Sequence, residues 1–400
     1  MHLAWIDLLL LLLPLAVASG WLAARLDQKH RPSGTGGEFP SAYFKGLNFL
    51  LNEQPDKAIE VFIQMLEVDS DTVETHLALG NLFRRRGEVE RAIRIHQNLI
   101  ARPTLDKHQR SLALLELGQD YLKAGLFDRA ENLFLELAEI RLHTEQALRF
   151  LVHIYQQEKE WDQAIAVSRR LARASGRNQD DVIAQFYCEL AEQAFSDGNP
   201  ALARQFAGEA LSADRNCVRA SILLGRMEVG AGRHREALKA WKRIEEQDPV
   251  YLGEVAGLIA ASYQAINDGA GLYSYFDSVL RRHGGVALML ALADVIRSRD
   301  GVPAAEAFVT SWLRRQPSVQ GLHRLLDLNL VAADVSVQTD LKLLQGVIAQ
   351  LLEQQQGYLC QECGFRGKTL HWQCPGCHRW NTVKPLPGQP QERSLEKLHG

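Results

Sequence analysis

Four cysteines near the end of the chain have the spacing of a metal site. Cys360 and Cys363 form one CxxC pair, and Cys374 and Cys377 form a second pair after an interval of 10 residues. Two intervening residues allow one tight turn to direct two sulfurs at a single ion, and two such turns complete a tetrahedron. Because four thiolates fill the coordination shell, no position remains for a substrate. The cluster therefore predicts one structural ion, for which zinc and a single iron are both suitable.

Other uses of these cysteines are possible in principle. Disulfide bonds are the alternative if this end of the chain meets an oxidising compartment. A thioredoxin-like redox pair is less favoured, because no alternation of strands and helices surrounds either CxxC. His371 and His378 are expected to be neighbours of the site rather than ligands, since four correctly spaced thiols are already present. The remaining two cysteines, Cys188 and Cys217, lie singly in helical patterns and are expected to be small core residues.

An internal repeat in the sequence predicts the helices that must position this site. A small residue flanked by apolar ones recurs eight times, and five of the seven intervals are 34 residues while the other two are 38 and 39. The positions are Ala58, Ala92, Ala130, Ala164, Ala203, Ala237, Gly271 and Ala305. A period of 34 residues is typical of tetratricopeptide repeats. A glycine stands twelve residues earlier in four units (Gly46, Gly80, Gly118, Gly225), and an aromatic residue stands four later in four (Phe62, Phe134, Trp241, Tyr275).

Each unit is predicted to be a pair of antiparallel helices whose backbones approach closely at the small residues. A single hairpin cannot bury its apolar face, so neighbouring hairpins must stack into one continuous core. The fold class is therefore all-α, a tetratricopeptide-repeat superhelix with a transmembrane helix before it and a small rubredoxin-like or zinc-ribbon-like metal knob after it. The predicted segments are an anchor at 1–25, a linker at 26–38, about eight repeats at 39–318, a helical cap at 319–356, the metal knob at 357–384 and a disordered tail at 385–400.

The first helices of such repeats line a surface that binds peptides or proteins. Helical phase places six polar side chains on that surface, and these are predicted to form a partner-binding groove. They are Asn81, Arg84, Arg149, His153, Gln156 and Arg226.

The N-terminal segment is predicted to be a retained membrane anchor. No charged residue occurs from Leu8 to Ala24, whereas Arg25, Lys29 and Arg31 follow directly. A cleaved signal peptide is the alternative, but such a peptide has a basic segment before its apolar run, and none is present here. By the positive-inside rule the rest of the chain then faces the cytoplasm, in agreement with a thiol cluster that needs a reducing compartment.

Composition excludes several classes of function. The net charge of -3 gives no reason to expect a nucleic-acid partner. The sequence has no glycine-rich phosphate loop, nucleophile elbow or HExxH pair, and its carboxylates and histidines show no pairing suited to acid and base roles. We therefore predict a protein that is not an enzyme and has no small-molecule substrate.

The combination of an apolar N-terminus, tetratricopeptide repeats and the terminal pairs Cys360-x-x-Cys363-Gly364 and Cys374-Pro375-x-Cys377 resembles the lipopolysaccharide assembly protein B family of Gram-negative bacteria. The resemblance covers essentially the whole chain. It implies an inner-membrane location with a single pass, iron in the four-cysteine site, and a rubredoxin-like knob packed on the last repeats. It also implies a role in lipopolysaccharide supply, in which the membrane protease FtsH degrades the lipid A deacetylase LpxC, together with contacts to the lipopolysaccharide assembly machinery. Two alternatives remain open, a rubredoxin-like electron carrier and a periplasmic repeat scaffold.

Overall fold

The computed structural model describes residues 41–52, 54–68, 73–332 and 335–386. The predicted anchor and linker lie outside these residues, as do positions 387–400 of the predicted tail. Among the helices that are described, none is both long enough and apolar enough to span a bilayer.

Helices follow one another in pairs along the chain. The first three pairs are α1 (Ser41–Leu51) and α2 (Pro55–Val68), α3 (Val73–Arg86) and α4 (Val89–Ile100), and α5 (Lys107–Lys123) and α6 (Phe127–Glu139). The next three are α7 (Thr144–Glu158) and α8 (Trp161–Ser175), α9 (Asp180–Ser196) and α10 (Pro200–Ala213), and α11 (Val218–Gly230) and α12 (His234–Lys242). A short helix α13 (Ile244–Gln247) and a 3-10 turn (Pro249–Tyr251) lead to α14 (Leu252–Ala265) and α15 (Gly269–His283), then α16 (Val286–Asp300) and α17 (Val302–Arg315). A ninth pair, α18 (Val319–Ala332) and α19 (Val335–Gln354), occupies the predicted cap.

The chain divides into two compact units, Met1–Ala130 and Glu131–Gly400. In the second unit the first helices of successive hairpins also contact one another, as α9 does with α11 and α14 with α16. We call the surface formed by the first helices of the second unit (α7, α9, α11, α14, α16, α18) its inner face.

The predicted close-approach sites are buried in seven of the eight units. Each of these alanines is 0% exposed, and they are Ala58, Ala92, Ala130, Ala164, Ala203, Ala237 and Ala305. Three glycines of the first helices show why small residues are needed opposite a ring. A Cβ built on Gly46, Gly80 or Gly225 would lie 2.6, 2.3 or 2.0 Å from the ring of Phe62, His96 or Trp241. His96 thus occupies the place that an aromatic residue fills elsewhere, which the sequence analysis did not recognise.

The seventh hairpin departs from the prediction by one residue. Asp268 caps α15 and accepts a hydrogen bond from the N–H of Gly271 at 2.8 Å, so the helix begins one residue later relative to the repeat. Leu272 therefore stands four residues after the cap, where the other units have alanine, and Phe276 rather than Tyr275 is the fully buried ring. The expectations for Gly271 and Tyr275 were wrong for this reason.

A small sheet follows the helices. Its strands are β1 (Tyr358–Cys360), β2 (Arg366–Gly367) and β3 (Val383–Pro385), and the order is β2-β1-β3 with both neighbours antiparallel. The N–H of Leu386 donates to the carbonyl of Gly357 at 2.7 Å. The knob therefore extends to residue 386, two residues beyond its predicted end.

The contact between Gly225 and Trp241 gives a first prediction. Replacing Gly225 with alanine puts a methyl group inside the van der Waals radius of a fully buried indole, and overpacking of this kind costs about 1 to 3 kcal/mol. Urea unfolding should show that loss. Gly230, in the same helix, has no heavy atom within 4 Å of a built Cβ. Gly230→Ala should therefore be neutral or stabilise by about 0.5 to 1 kcal/mol, and equal effects of the two substitutions would contradict the close approach.

Candidate metal centre and its docking surface

Two similar turns present the four thiols. Cys360 ends β1, and the carbonyl of Cys360 accepts the N–H of Gly364 at 3.1 Å, while the carbonyl of Cys374 accepts the N–H of His378 at 2.9 Å. Gly364 and His378, each directly after the second cysteine of its pair, have positive φ values of 75° and 57°. The left-handed backbone turns the chain sharply after each pair, so both sulfurs of a pair face the same point.

The sulfur positions fit one tetrahedral ion. All four Sγ atoms lie within 4.8 Å of one another, with Cys360 and Cys377 at 3.8 Å and Cys363 and Cys374 at 3.6 Å. Sulfurs placed about 2.3 Å from a central ion form a tetrahedron with edges of about 3.8 Å. The cysteines therefore form a tetrahedral metal-binding site, and the donor set suits zinc and iron equally.

Electrostatics also favour a bound cation. Burial opposes ionisation of Cys360, but the Thr382 hydroxyl and the N–H groups of Cys363 and Glu362 lower the pKa of Cys360 to about 6. The N–H of Phe365 favours the Cys363 thiolate, yet desolvation and the three neighbouring sulfurs raise the pKa of Cys363 to about 12. Four thiolates this close repel one another, so complete ionisation requires a positive ion among them.

The knob is seated on the inner face of the second unit. Trp380 donates a hydrogen bond from Nε1 to Oε1 of Gln156 at 2.8 Å, and its ring meets Trp161 and Phe186 edge-on at centroid distances of 6.2 and 5.8 Å. Trp372 stacks on Tyr251 at 5.5 Å. These partners belong to the fourth and fifth hairpins and to the 3-10 turn before the seventh, so the knob does not pack on the last repeats alone, as expected, but also on the middle ones.

Polar bonds surround this aromatic contact. The Tyr358 hydroxyl donates to Glu254 at 3.0 Å, and Lys384 pairs with Asp248 at 2.9 Å. The Tyr251 hydroxyl donates to the carbonyl of Val383 at 3.3 Å. Burial raises the pKa of Tyr251, so this hydroxyl keeps its proton and remains a donor.

Arg219 lies at the centre of the docking surface and is 3% exposed. Its guanidinium carbon lies 6.0 Å from the ring centroid of Trp372 and 5.9 Å from that of Trp380. On the repeat side it pairs with Glu189 at 2.8 Å and Glu192 at 3.0 Å. Burial alone would disfavour the charge, but Glu192 and Glu189 outweigh it and raise the pKa of Arg219. Arg219 was not among the predicted site residues; its only signal in the sequence is a charged residue on a helix whose neighbours are apolar.

The six predicted groove residues have different surroundings. Gln156 accepts the hydrogen bond from Trp380 of the knob. Desolvation lowers the pKa of His153, and the nearby imidazole of His378 lowers it further. Arg149 pairs with Glu145 at 2.6 Å on the surface, and Arg226 is exposed.

The other two groove residues, Asn81 and Arg84, belong to the first unit and lie in an internal polar network. Arg84 donates to Glu116 at 2.6 Å, to Asp120 at 2.7 Å and to Asn81 at 2.7 Å. For all six positions, partner binding stays a prediction.

The predicted core cysteines are also in place. Cys188 and Cys217 are 0% and 1% exposed, and their sulfurs lie 3.7 Å apart without a disulfide bond.

Comparison with known proteins agrees with this architecture. A family model described as rubredoxin metal binding domain matches residues 358–385, and tetratricopeptide repeat models match 75–109 and 188–251. Lipopolysaccharide assembly protein B of Escherichia coli strain K12 is 38% identical over 384 residues, covering 96% of this chain and 99% of that protein. The chain belongs to the lipopolysaccharide assembly protein B family. The Haemophilus influenzae relative of the same name is 36% identical, again over 96% of this chain and 99% of its own length.

Membership confirms the family resemblance inferred from the cysteine pairs and repeats. The relatives are named for assembly rather than for a reaction, and the repeat fold is that of a scaffold, so the prediction of a protein that is not an enzyme is confirmed.

Metal removal should release the knob without unfolding the repeats. A domain this small depends on its ion for stability, whereas the helices have cores of their own. Chelation or Cys374→Ser should speed amide hydrogen exchange in β1 and β3 and leave far-ultraviolet helicity unchanged. His371→Gln is the matched control and should keep one ion per chain. A knob that stays protected after complete metal loss would contradict this view.

Arg219→Met should loosen the knob while keeping the metal. Two desolvated cation–π contacts are lost, each worth about 0.5 to 2 kcal/mol, so exchange in β1 and β3 should be about tenfold faster or more. Arg226→Met, two turns along the same helix but exposed, should change nothing. If both variants behave like the wild type, Arg219 does not hold the knob.

Proposed function

We propose that this chain is a membrane-tethered cytoplasmic adaptor that limits lipopolysaccharide synthesis by presenting the lipid A deacetylase LpxC to the membrane protease FtsH. The observation that carries the proposal is full-length similarity to relatives named lipopolysaccharide assembly protein B. The repeats support it, because stacked helical hairpins offer extended surfaces for protein partners. Contacts with other components of lipopolysaccharide assembly belong to the same proposal.

The membrane tether rests on the uncharged stretch from Leu8 to Ala24 and on the basic residues Arg25, Lys29 and Arg31. These features favour an inner-membrane segment with the remaining chain on the cytoplasmic side. A reporter fused after Arg31 should therefore be active inside the cell. Activity only outside the cytoplasm would instead support the periplasmic scaffold.

The docked knob supports a structural role for its metal ion. Trp372 and Trp380 bury the side of the knob that faces the repeats, and four sulfurs fill the coordination shell. An electron carrier would require iron that changes oxidation state reversibly. Metal analysis and voltammetry of the purified protein separate the two roles, because bound zinc removes the carrier.

Depletion of the protein tests the adaptor role. An adaptor speeds degradation by bringing the substrate to its protease. After depletion, the half-life of the deacetylase, measured once protein synthesis is stopped, should therefore lengthen by a factor of about three or more. The amount of lipopolysaccharide should rise. Wild-type chain should restore the short half-life, and Arg315→Met serves as a surface control because Arg315 is exposed and lies outside the predicted groove. An unchanged half-life would refute the proposal.

A further inference from the structure

Beyond the docked knob, the inner face contains an open groove. It lies between the first helices of the seventh and eighth hairpins and the cap, α14, α16 and α18, and its volume is about 1060 Å³. All of its lining residues belong to the second unit. The knob borders it, because Glu254 lines the groove and accepts the hydrogen bond from Tyr358.

Small residues form the floor of the groove. Gly257 and Ala261 on α14 are exposed, and Ala287 and Ala291 on α16 are half-buried. A Cβ built on Gly257 meets no heavy atom within 4 Å, so the groove is open directly above the backbone. The glycines that face a ring of their own hairpin, Gly46, Gly80 and Gly225, occupy a different position of the repeat. Here no described side chain fills the space above Gly257.

The charged side chains that line the groove differ in how closely they are paired. Asp294 pairs with Arg324 across the groove, and Arg299 pairs with Asp300 at 2.7 Å. Among the described residues Arg297 pairs only with Asp294, at 3.6 Å, and its side chain is 46% exposed. Arg297 is therefore the lining cation best able to pair with an added carboxylate, at the end of the groove where α16 terminates.

The dimensions suit a short helix. The lining runs along α14 from Gly253 to Gln264 and along α16 from Ala287 to Arg299. At a rise of 1.5 Å per residue these distances are about 16 and 18 Å, or about three helical turns each. Small residues on both sides allow another backbone to approach closely, and the apolar side chains of Leu258, Leu290 and Val295 flank the floor.

We propose that this groove binds a short, mainly apolar helical segment of a partner protein, with a carboxylate of that segment paired to Arg297. The inference rests on the proposed adaptor function, since it assigns the surface by which the scaffold grips a partner. Its mode is that of an amphipathic helix laid in a groove, in which spaced apolar side chains provide affinity and a charge fixes orientation.

The probe is a phage-displayed library of random 16-residue peptides, selected against the full-length chain in detergent micelles. Enriched peptides should combine small or apolar residues at helical spacing with one Asp or Glu. Gly257→Leu fills the groove without touching the fold and should weaken a synthetic enriched peptide by about tenfold or more. Gly208→Leu is its control, because Gly208 is also a helical glycine with nothing within 4 Å of a built Cβ.

Charge reversal tests the pairing. Arg297→Glu should weaken the same peptide by about tenfold, and replacing the peptide's carboxylate with Lys should restore binding to that variant. Arg315→Glu, also at a helix C-terminus but away from the groove, should have no effect.

Four results would overturn the inference. The first two are the absence of any enriched peptide and equal binding of the peptide to the wild type and to Gly257→Leu. The third is self-association of the chain that Gly257→Leu abolishes. The fourth is much tighter peptide binding after the chain is truncated beyond Leu386. The last two would assign the groove to a second copy or to residues 387–400. If the groove fails while deacetylase half-life still depends on the protein, the adaptor function stands without this surface.

Discussion

The docking of the knob on the repeats depends on one buried cation. Arg219 comes from a repeat helix, is neutralised by Glu189 and Glu192 on a neighbouring helix, and presents its guanidinium to two indoles of the knob. A buried charge is stable only when it is paired, and the two carboxylates supply that pairing. The faces of the two indoles attract the guanidinium through cation–π contacts, which need no hydrogen bond. Arg219 therefore joins the two parts, because the repeats supply its carboxylate partners and the knob supplies the indoles that cover it.

This contact links the metal ion to the helices. A bound ion would hold the two cysteine turns, and these turns flank Trp372 and Trp380, whose indoles cover Arg219. Tyr251 and Tyr358 extend the same link toward the seventh hairpin, where Glu254 marks the edge of the open groove. The inner face of the second unit is thus divided into a part that the chain covers itself and a part that it leaves accessible.

Hairpin packing follows a simpler rule. A small residue on one helix receives a ring or a backbone from the next, and the residue four positions after the helix cap is the one that becomes buried. In the seventh hairpin the buried residue is set by the helix cap and not by the repeat period, because α15 begins after Asp268. His96 obeys it with an imidazole, which also reaches Asp120 at 2.5 Å. The physical requirement is volume and register, not a particular residue type.

The sequence by itself determined the hairpins, the close-approach alanines and the four ligands, because helical period and CxxC spacing are local constraints that act within a few turns of chain. It could not place Gln156 against Trp380 or Arg219 between two indoles, since these contacts join residues more than 150 positions apart and no local pattern records them. It selected Gly225, which faces a ring, by its position in the repeat, but it gave no sign that Gly257 faces open space. Only the tertiary structure decided those points, because they depend on what packs opposite each residue.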